Sequence, residues 1–439
     1  MTMIHAPSLW GLIPLVVFII TIFRRWNPIA SIVVSMIVGA ILSGSSFTDI
    51  AKEIGTNGMT NFLAYIGLVI IAGGGLGRIA ERTGVSRNLV TFIINKVGVN
   101  TRTKAMLGTM LASTVMAGLF GTLAGGNAVI APVVIPVVAA AGLSSSVVAI
   151  LFHGAGIAGL LIGPFSPPVI TFMQLTGLSY PQYLLFAGLP VAVILWIISF
   201  VYSKKIASTT LLTFPYSEED LMSFNQQEQP DAKQLTIAKQ STLVFLISLV
   251  GLIIYGIATK GGAGFAIFVI LFTALVTGLA GRMSPNELAD TFVEGAKPLL
   301  WIFFQFVLFT PFMDFIDKMG GFEALKNLLM PSIEHSGRFA SLILMTIVNL
   351  VGIPGAAVAH SVLMNKMFIG PVKAAHIPMT IWALALLVGS QMPFFLYPTG
   401  DAIGSMGIAR SKDLKNIVLF GVITAVAVFL LLVVFALFM

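Results

Sequence analysis

Apolar runs of about 18–25 residues recur along this chain, the length a helix needs to cross roughly 30 Å of hydrocarbon. They lie near 9–23, 27–44, 59–77, 145–175, 182–203, 240–258, 262–281, 295–316, 375–405 and 412–438. Only 9% of the 439 residues are charged and 57% are hydrophobic, whereas a soluble domain carries roughly 25% charged residues. Water cannot solvate such a surface, so the solvent is lipid. The predicted class is an all-α polytopic membrane protein. The N-terminus shows no basic segment ahead of its first apolar run, so no cleavable presequence is expected.

A net charge of +7 invites a nucleic-acid reading. The basic residues instead sit in short loops between apolar runs, where they set topology, and no nucleic-acid partner is expected. The chain has no cysteine, which excludes disulfides, thiolate metal sites and cysteine nucleophiles.

The runs fall into two blocks, 1–203 and 240–439, joined by a polar stretch, 204–239, that reads as a cytoplasmic linker. Each block shows three spans and then an amphipathic segment, near 86–98 and 321–330. Two shorter apolar stretches follow, near 105–141 and 338–371, then a span broken by Gly and Pro and a final span. A shift of 234 places Gly118 on Gly352, Gly121 on Gly355 and Pro164 on Pro398. A shift of 236 places Glu81-Arg82-Thr83-Gly84 on Asp317-Lys318-Met319-Gly320. The common order points to internal duplication. If 105–141 and 338–371 are re-entrant hairpins, each half makes five crossings, and the repeats have inverted topology. With both termini outside, 17 of the 24 Lys and Arg fall on inside loops, the direction of the positive-inside rule.

The first hairpin tip reads Gly121-Thr122-Leu123-Ala124-Gly125-Gly126-Asn127-Ala128, and the second runs from Gly352-Ile353-Pro354-Gly355 to His360-Ser361. Gly and Pro at this density break a helix. In a bilayer, broken backbone is tolerated only inside protein or beside a wet cavity, where its freed groups serve as ligands. A tight small-residue turn packing against another helix is the other reading. The broken spans carry Gly163-Pro164-Phe165-Ser166-Pro167-Pro168 and Pro398-Thr399-Gly400-Asp401, with Gly404 beyond. Two interrupted spans at matching places point to a transport site, against a plain proline kink.

The candidate solute-binding residues are therefore Thr122, Gly125, Gly126, Asn127, Ser166, Gly355, His360, Ser361, Asn365 and Thr399, with Gln391 more remote. Asn127, Asp401 and His360 are candidates for the coupling ion or proton. An intramembrane carboxylate usually faces a cavity, an ion or a proton path. Asp401 is a sodium ligand, a proton carrier or a partner for an ammonium group; as a loop acid it would merely cap a helix. His360 titrates near neutrality in water or acts as a structural donor, and His153 reads as packing before ligand. Arg78, Glu81, Arg82, Asp314 and Asp317 read as interfacial anchors. No phosphate loop or His-Glu-x-x-His motif is present, which argues against an ATP-driven pump and an intramembrane metalloprotease. Gly73-Gly74-Gly75-Leu76-Gly77 follows no strand and reads as a helix-packing face.

This plan resembles the ion transporter superfamily, which includes gluconate permeases, divalent-anion/sodium symporters and citrate transporters. The stretch from Gly73 to Gly84 is similar to the gluconate-permease relatives. Divalent-anion symporters carry Ser-Asn-Thr at their tips; here Gly126-Asn127-Ala128 shares the asparagine, and His360-Ser361-Val362 departs from it. The resemblance implies a homodimer with a scaffold and a moving transport part working as an elevator. The expected function is secondary transport of a small organic anion, a sugar acid or carboxylate, coupled to H+ or Na+. The alternative is a sodium/proton antiporter without organic substrate. No enzyme activity, no cofactor and no metal beyond sodium are expected, and the expected location is a prokaryotic inner or plasma membrane.

Overall fold

The computed structural model describes the chain except residues 1–3, 5, 25, 226–230, 260, 262 and 351–356. The second hairpin tip, with Gly352, Pro354 and Gly355, therefore lies outside the described residues, as do Arg25, Lys260 and part of the linker. Every regular element among the described residues is helical. The first half runs α1 (Ile13–Phe23), α2 (Pro28–Leu42), α3 (Phe47–Glu53), α4 (Phe62–Arg82), α5 (Val85–Val97), α6 (Arg102–Phe120), α7 (Leu123–Ala140), α8 (Ser145–Ile162), α9 (Pro167–Thr176), α10 (Tyr180–Tyr183) and α11 (Leu189–Thr213). A short helix, α12 (Glu218–Asn225), follows. The second half runs α13 (Ala232–Thr259), α14 (Ala263–Ala280), α15 (Pro285–Ala296), α16 (Leu300–Lys318), α17 (Gly321–Leu350), α18 (Ala357–Ala374), α19 (Met379–Gln391), α20 (Pro393–Leu396), α21 (Gly400–Ile408) and α22 (Leu414–Leu437).

Local chemistry sets the boundaries. Asn27 caps α2 through the Ile29 amide with Pro28 behind it, and Ser144 caps α8 through the Val147 amide, as short polar side chains do at helix starts. Gly121, at φ 65°, ends α6, and Gly177, at φ 71°, ends α9; both occupy the left-handed region open to glycine. Gly337, at φ 69°, kinks α17.

Among the described residues nine helical stretches are long and apolar enough to cross a bilayer. Whole faces of α11, α13, α14 and α22 expose large apolar residues, among them Ile247, Ile254, Phe268 and Leu430. A soluble monomer rarely exposes contiguous apolar patches beyond a few hundred Å², so these faces contact lipid. At the other extreme, α8 and α19 are buried on almost every side, as expected of helices apolar all round. They form the centre of the molecule.

Packing recurs in exchange between the halves. α4 packs against α14 and α15, while α16 packs against α2 and the turn Ile54–Gly58. α6 lies on α8 and α17 on α19; α8 meets α11 and α19 meets α22. Two further contacts cross between the halves: α7 packs against α21, and α18 against α9. The polar ends follow the same scheme. Ser46 and Asp49 form a capping box on α3, and Ser284 and Glu287 form one on α15. Arg78 of α4 pairs with Glu294 of α15 at 2.5 Å, and Lys318 of α16 pairs with Glu53 of α3 at 2.7 Å. The residues read from sequence as anchors thus include ion pairs between the halves.

Two boundaries differ from expectation. Residues 204–213 continue α11 and 232–239 begin α13, so the connection narrows to 214–231. Its helix α12 packs on α7, with Leu221 and Phe224 against the core and Arg410 over the Phe224 ring at 5.6 Å. The acidic face of this helix hides a small apolar one that composition averages away. The second break covers 397–399, and Gly400, Asp401 and Gly404 belong to α21, because Thr399 is extended and leads straight into that helix.

Candidate functional site

Glycine brings the first tip to the first break. A Cβ on Gly163 would sit 2.5 Å from the Gly118 carbonyl oxygen, one on Gly118 would sit 2.9 Å from that of Gly159, and one on Gly159 would overlap that of Thr114. Without side chains there, α6 and α8 approach backbone to backbone, the small-residue packing used in membranes. The seam carries Gly121 to Phe165–Pro167, its Cβ position lying 3.4 Å from Pro167 Cδ and 3.7 Å from the Phe165 carbonyl oxygen. Gly126 lies against the Ala117 backbone, whose nitrogen would be 2.8 Å from an added Cβ. Gly125 is exposed and Thr122 half-buried at the tip.

Asn127 is fully buried. Its Oδ1 accepts from Ser113 Oγ at 2.6 Å, and its Nδ2 donates to the Phe152 carbonyl at 3.0 Å. One turn away, Thr114 Oγ1 donates to the Ala155 carbonyl at 2.8 Å and accepts from Trp196 Nε1 at 2.9 Å. The carboxamide of Asn127 thus ties both hairpin arms to α8. Ser166 Oγ is bonded to the Leu160 and Gly163 carbonyls. Asn127→Ala is expected to cost about 1–3 kcal/mol, because Ser113 and the Phe152 carbonyl lose a buried partner. Thermal unfolding of the purified protein in detergent measures it. A purely ligand-binding Asn127 would leave the unliganded midpoint unchanged and remove only a substrate-induced upward shift.

The second half holds its polar groups differently. His360 is buried and its Nε2 lies 2.9 Å from the Asn349 carbonyl. A carbonyl only accepts, so Nε2 carries the proton, and the buried Nδ1 lone pair has no partner. Ser361 Oγ donates to the Val358 carbonyl at 2.7 Å, and Asn365 Oδ1 accepts from Trp382 Nε1 at 2.8 Å. Gln391 donates to Ser390 at 3.3 Å. Buried Thr399 and Ser405 hydroxyls have no partner. Asp401 is half-buried and has neither a hydrogen bond nor an ion pair among the described residues. α21, which carries it, packs on α7 and α8, in the same group of elements as Gly125–Asn127. His153 is buried against Phe395 at 4.8 Å between ring centres.

Asn349 was not legible as a site residue. It is fully buried, packs on Gly389, and both its Oδ1 and Nδ2 lack partners. A signal was present: the pair Ser113 and Asn127 on the first hairpin corresponds, at shifts of 236 and 234, to Asn349 and Ser361 on the second. The two residue types are exchanged between the arms. Lys366, on the second hairpin, is held by Asp317 at 3.1 Å and Asp314 at 3.7 Å.

Asn127, Asn349, His360, Thr399 and Ser405 are buried neutral donors and acceptors, and the last four hold unpartnered polar atoms. The family model described as citrate transporter, CitMHS, matches residues 15–293, more than half of the chain. The chain belongs to the citrate transporter family. It is a multi-pass membrane transporter. Among solved structures, the crystal structure of the Alcanivorax borkumensis YdaH transporter is similar in fold, with a TM-score of 0.53 over 88% of this chain and 89% of that one at 15% identity. No curated protein sequence matches the chain significantly. The matched region of this citrate transporter family member begins in α1, includes α6, α7 and the first break, and ends in α15.

Proposed function

We propose that this protein is a secondary active transporter that moves citrate or a related small organic anion, a carboxylate or sugar acid, across the cell membrane. A proton or sodium gradient drives it. The observation that carries the reading is the crossed packing of α7 on α21 and α18 on α9, with unpartnered buried polar groups at Thr399 and Ser405 beside the first pair and at His360 and Asn349 beside the second. Buried polar groups are normally satisfied, so such a set suits a transient ligand. The reciprocal contacts and ion pairs support two inverted repeats, each with a re-entrant hairpin, and shared sites of this kind support alternating access. An elevator-like shift of the hairpins and broken helices against α1–α4 and α13–α16, within a homodimer, completes the proposal.

In this reading Gly125, Gly126, Gly355 and the hydroxyls of Thr122, Ser166, Ser361 and Thr399 meet the anion, with Asn365 behind them. Lys366 is occupied by two aspartates, so the anion is held by amides and hydroxyls in place of a cationic clamp. Asp401 binds the coupling cation, and His360 and Asn127 set the hairpins that enclose it. The purified protein in proteoliposomes is expected to accumulate labelled citrate or another carboxylate only when a proton or sodium gradient is imposed. No gradient-dependent uptake of any acid in a broad panel overturns the proposal. The unpartnered carboxylate of Asp401 favours one second reading, a sodium/proton antiporter. Dye-reported proton movement on adding sodium, without any acid present, would identify it.

A further inference from the structure

A cavity of about 470 Å³ lies between the segment that follows the first break and the helices α13 and α14. It is lined by Pro164 and Phe165 of the break, by the turn around Ser179 and by Gly261, at the α13–α14 connection. Gln174 and Ile257 line the walls between. We propose that this cavity is the entrance through which the transported anion reaches the first helix break from the outer face of the membrane. This rests on the transport reading above and adds the route and its side.

Five observations carry it. The cavity runs from the ends of helices to the break itself, and Phe165 also touches the first hairpin tip through its carbonyl beside Gly121. An ion entering here arrives at Pro164 and Phe165, directly before Ser166 in the first break. The volume is within the range of roughly 300–1,000 Å³ that small-molecule pockets span. Among the described residues no charged side chain lines it. Neutral walls with Gln174, Ser179 and Gln182 let a hydrated anion pass without holding it, which suits a passage and not a resting place. Its two walls also belong to the two halves, so a shift of one against the other closes it. The turn at 177–182 has no Lys or Arg, whereas inside loops concentrate them; this places the mouth outside.

The natural absence of cysteine makes the test direct. Single cysteines are introduced as Gln174→Cys, Ser179→Cys and Ile257→Cys, with Ile247→Cys on the exposed face of α13 as a lipid-facing control. Intact cells are treated with a charged, membrane-impermeant methanethiosulfonate, and citrate uptake is then measured. Gln174→Cys and Ser179→Cys are expected to react from outside, several-fold more slowly with citrate present, and to lose uptake once labelled. Ile247→Cys is expected to do neither. Reaction with a lipophilic maleimide but not with the charged reagent would mean that acyl chains fill the cavity, and overturns the proposal. Reaction only after the membrane is opened overturns the outer placement. Labelled protein that still transports at the unlabelled rate overturns the route. Unmodified protein that transports no acid under any gradient would instead bring down the transport reading.

Discussion

Gly159→Val is expected to prevent stable docking of the first hairpin on α8. A Cβ at 159 overlaps the Thr114 carbonyl oxygen, which is backbone and cannot rotate away. Gly118 and Gly163 continue the same seam, so the helices cannot separate at one point without losing contact along it. Separation would also pull Ser113 and Asn127 from the Phe152 carbonyl and Thr114 from that of Ala155. Overpacking in a well-packed core costs about 1–3 kcal/mol. Here an unyielding carbonyl and a buried network add to it, so a loss of about 3 kcal/mol or more is expected, a large share of the roughly 5–15 kcal/mol that holds an ordinary domain folded. Fluorescence-detected size exclusion and thermal unfolding in detergent report it. Gly264→Val is the control, since nothing lies within 4 Å of an added Cβ there. Wild-type behaviour of the Gly159 variant would show that the α6–α8 seam is not as close as described.

Asp401→Asn is expected to uncouple transport. The substitution keeps the shape and removes the charge. Asp401 lies in the first turn of α21, where the helix dipole favours a negative group, yet no cation and no hydrogen-bond donor answers it among the described residues. In the proposed transport reading, where Asp401 lies at membrane depth, its carboxylate calls for an ion or a proton. Gradient-driven accumulation of the anion should fall about tenfold or more, the equivalent of roughly 1.4 kcal/mol in coupling, while exchange of labelled for unlabelled anion at equal concentrations persists. An asparagine variant that accumulates substrate at the normal level would remove Asp401 from the coupling step. Loss of both accumulation and exchange, with an unchanged thermal midpoint, would place it in solute binding.

The spans, the hairpin arms and the first break were legible because each depends on residues close in sequence. A run such as 412–438 is apolar throughout, and no neighbour is needed to make it seek lipid. Gly163 through Pro168 interrupts a helix by its own sterics, and the structure starts α9 at Pro167. The linker helix was less legible: Leu221 and Phe224 find a surface only once α7 and Arg410 are nearby. The partners of the polar residues were not legible at all. Arg78 and Glu294 are separated by 216 positions, and nothing local announces that one will hold the other.

The recurrent apolar runs of the chain by themselves determined that it is helical and embedded in lipid. Those properties follow from hydropathy and from glycine and proline, which act over a few residues. Tertiary structure alone decided what each buried polar group does. Asn127 is consumed in holding the first hairpin to α8, whereas Asn349, its counterpart by exchange, is buried without a partner. The two are the same residue type, on α7 and on α17. They differ because a carboxamide is satisfied or left open by what the neighbouring helix presents: a hydroxyl and a free carbonyl at Ser113 and Phe152, and a bare glycine at Gly389.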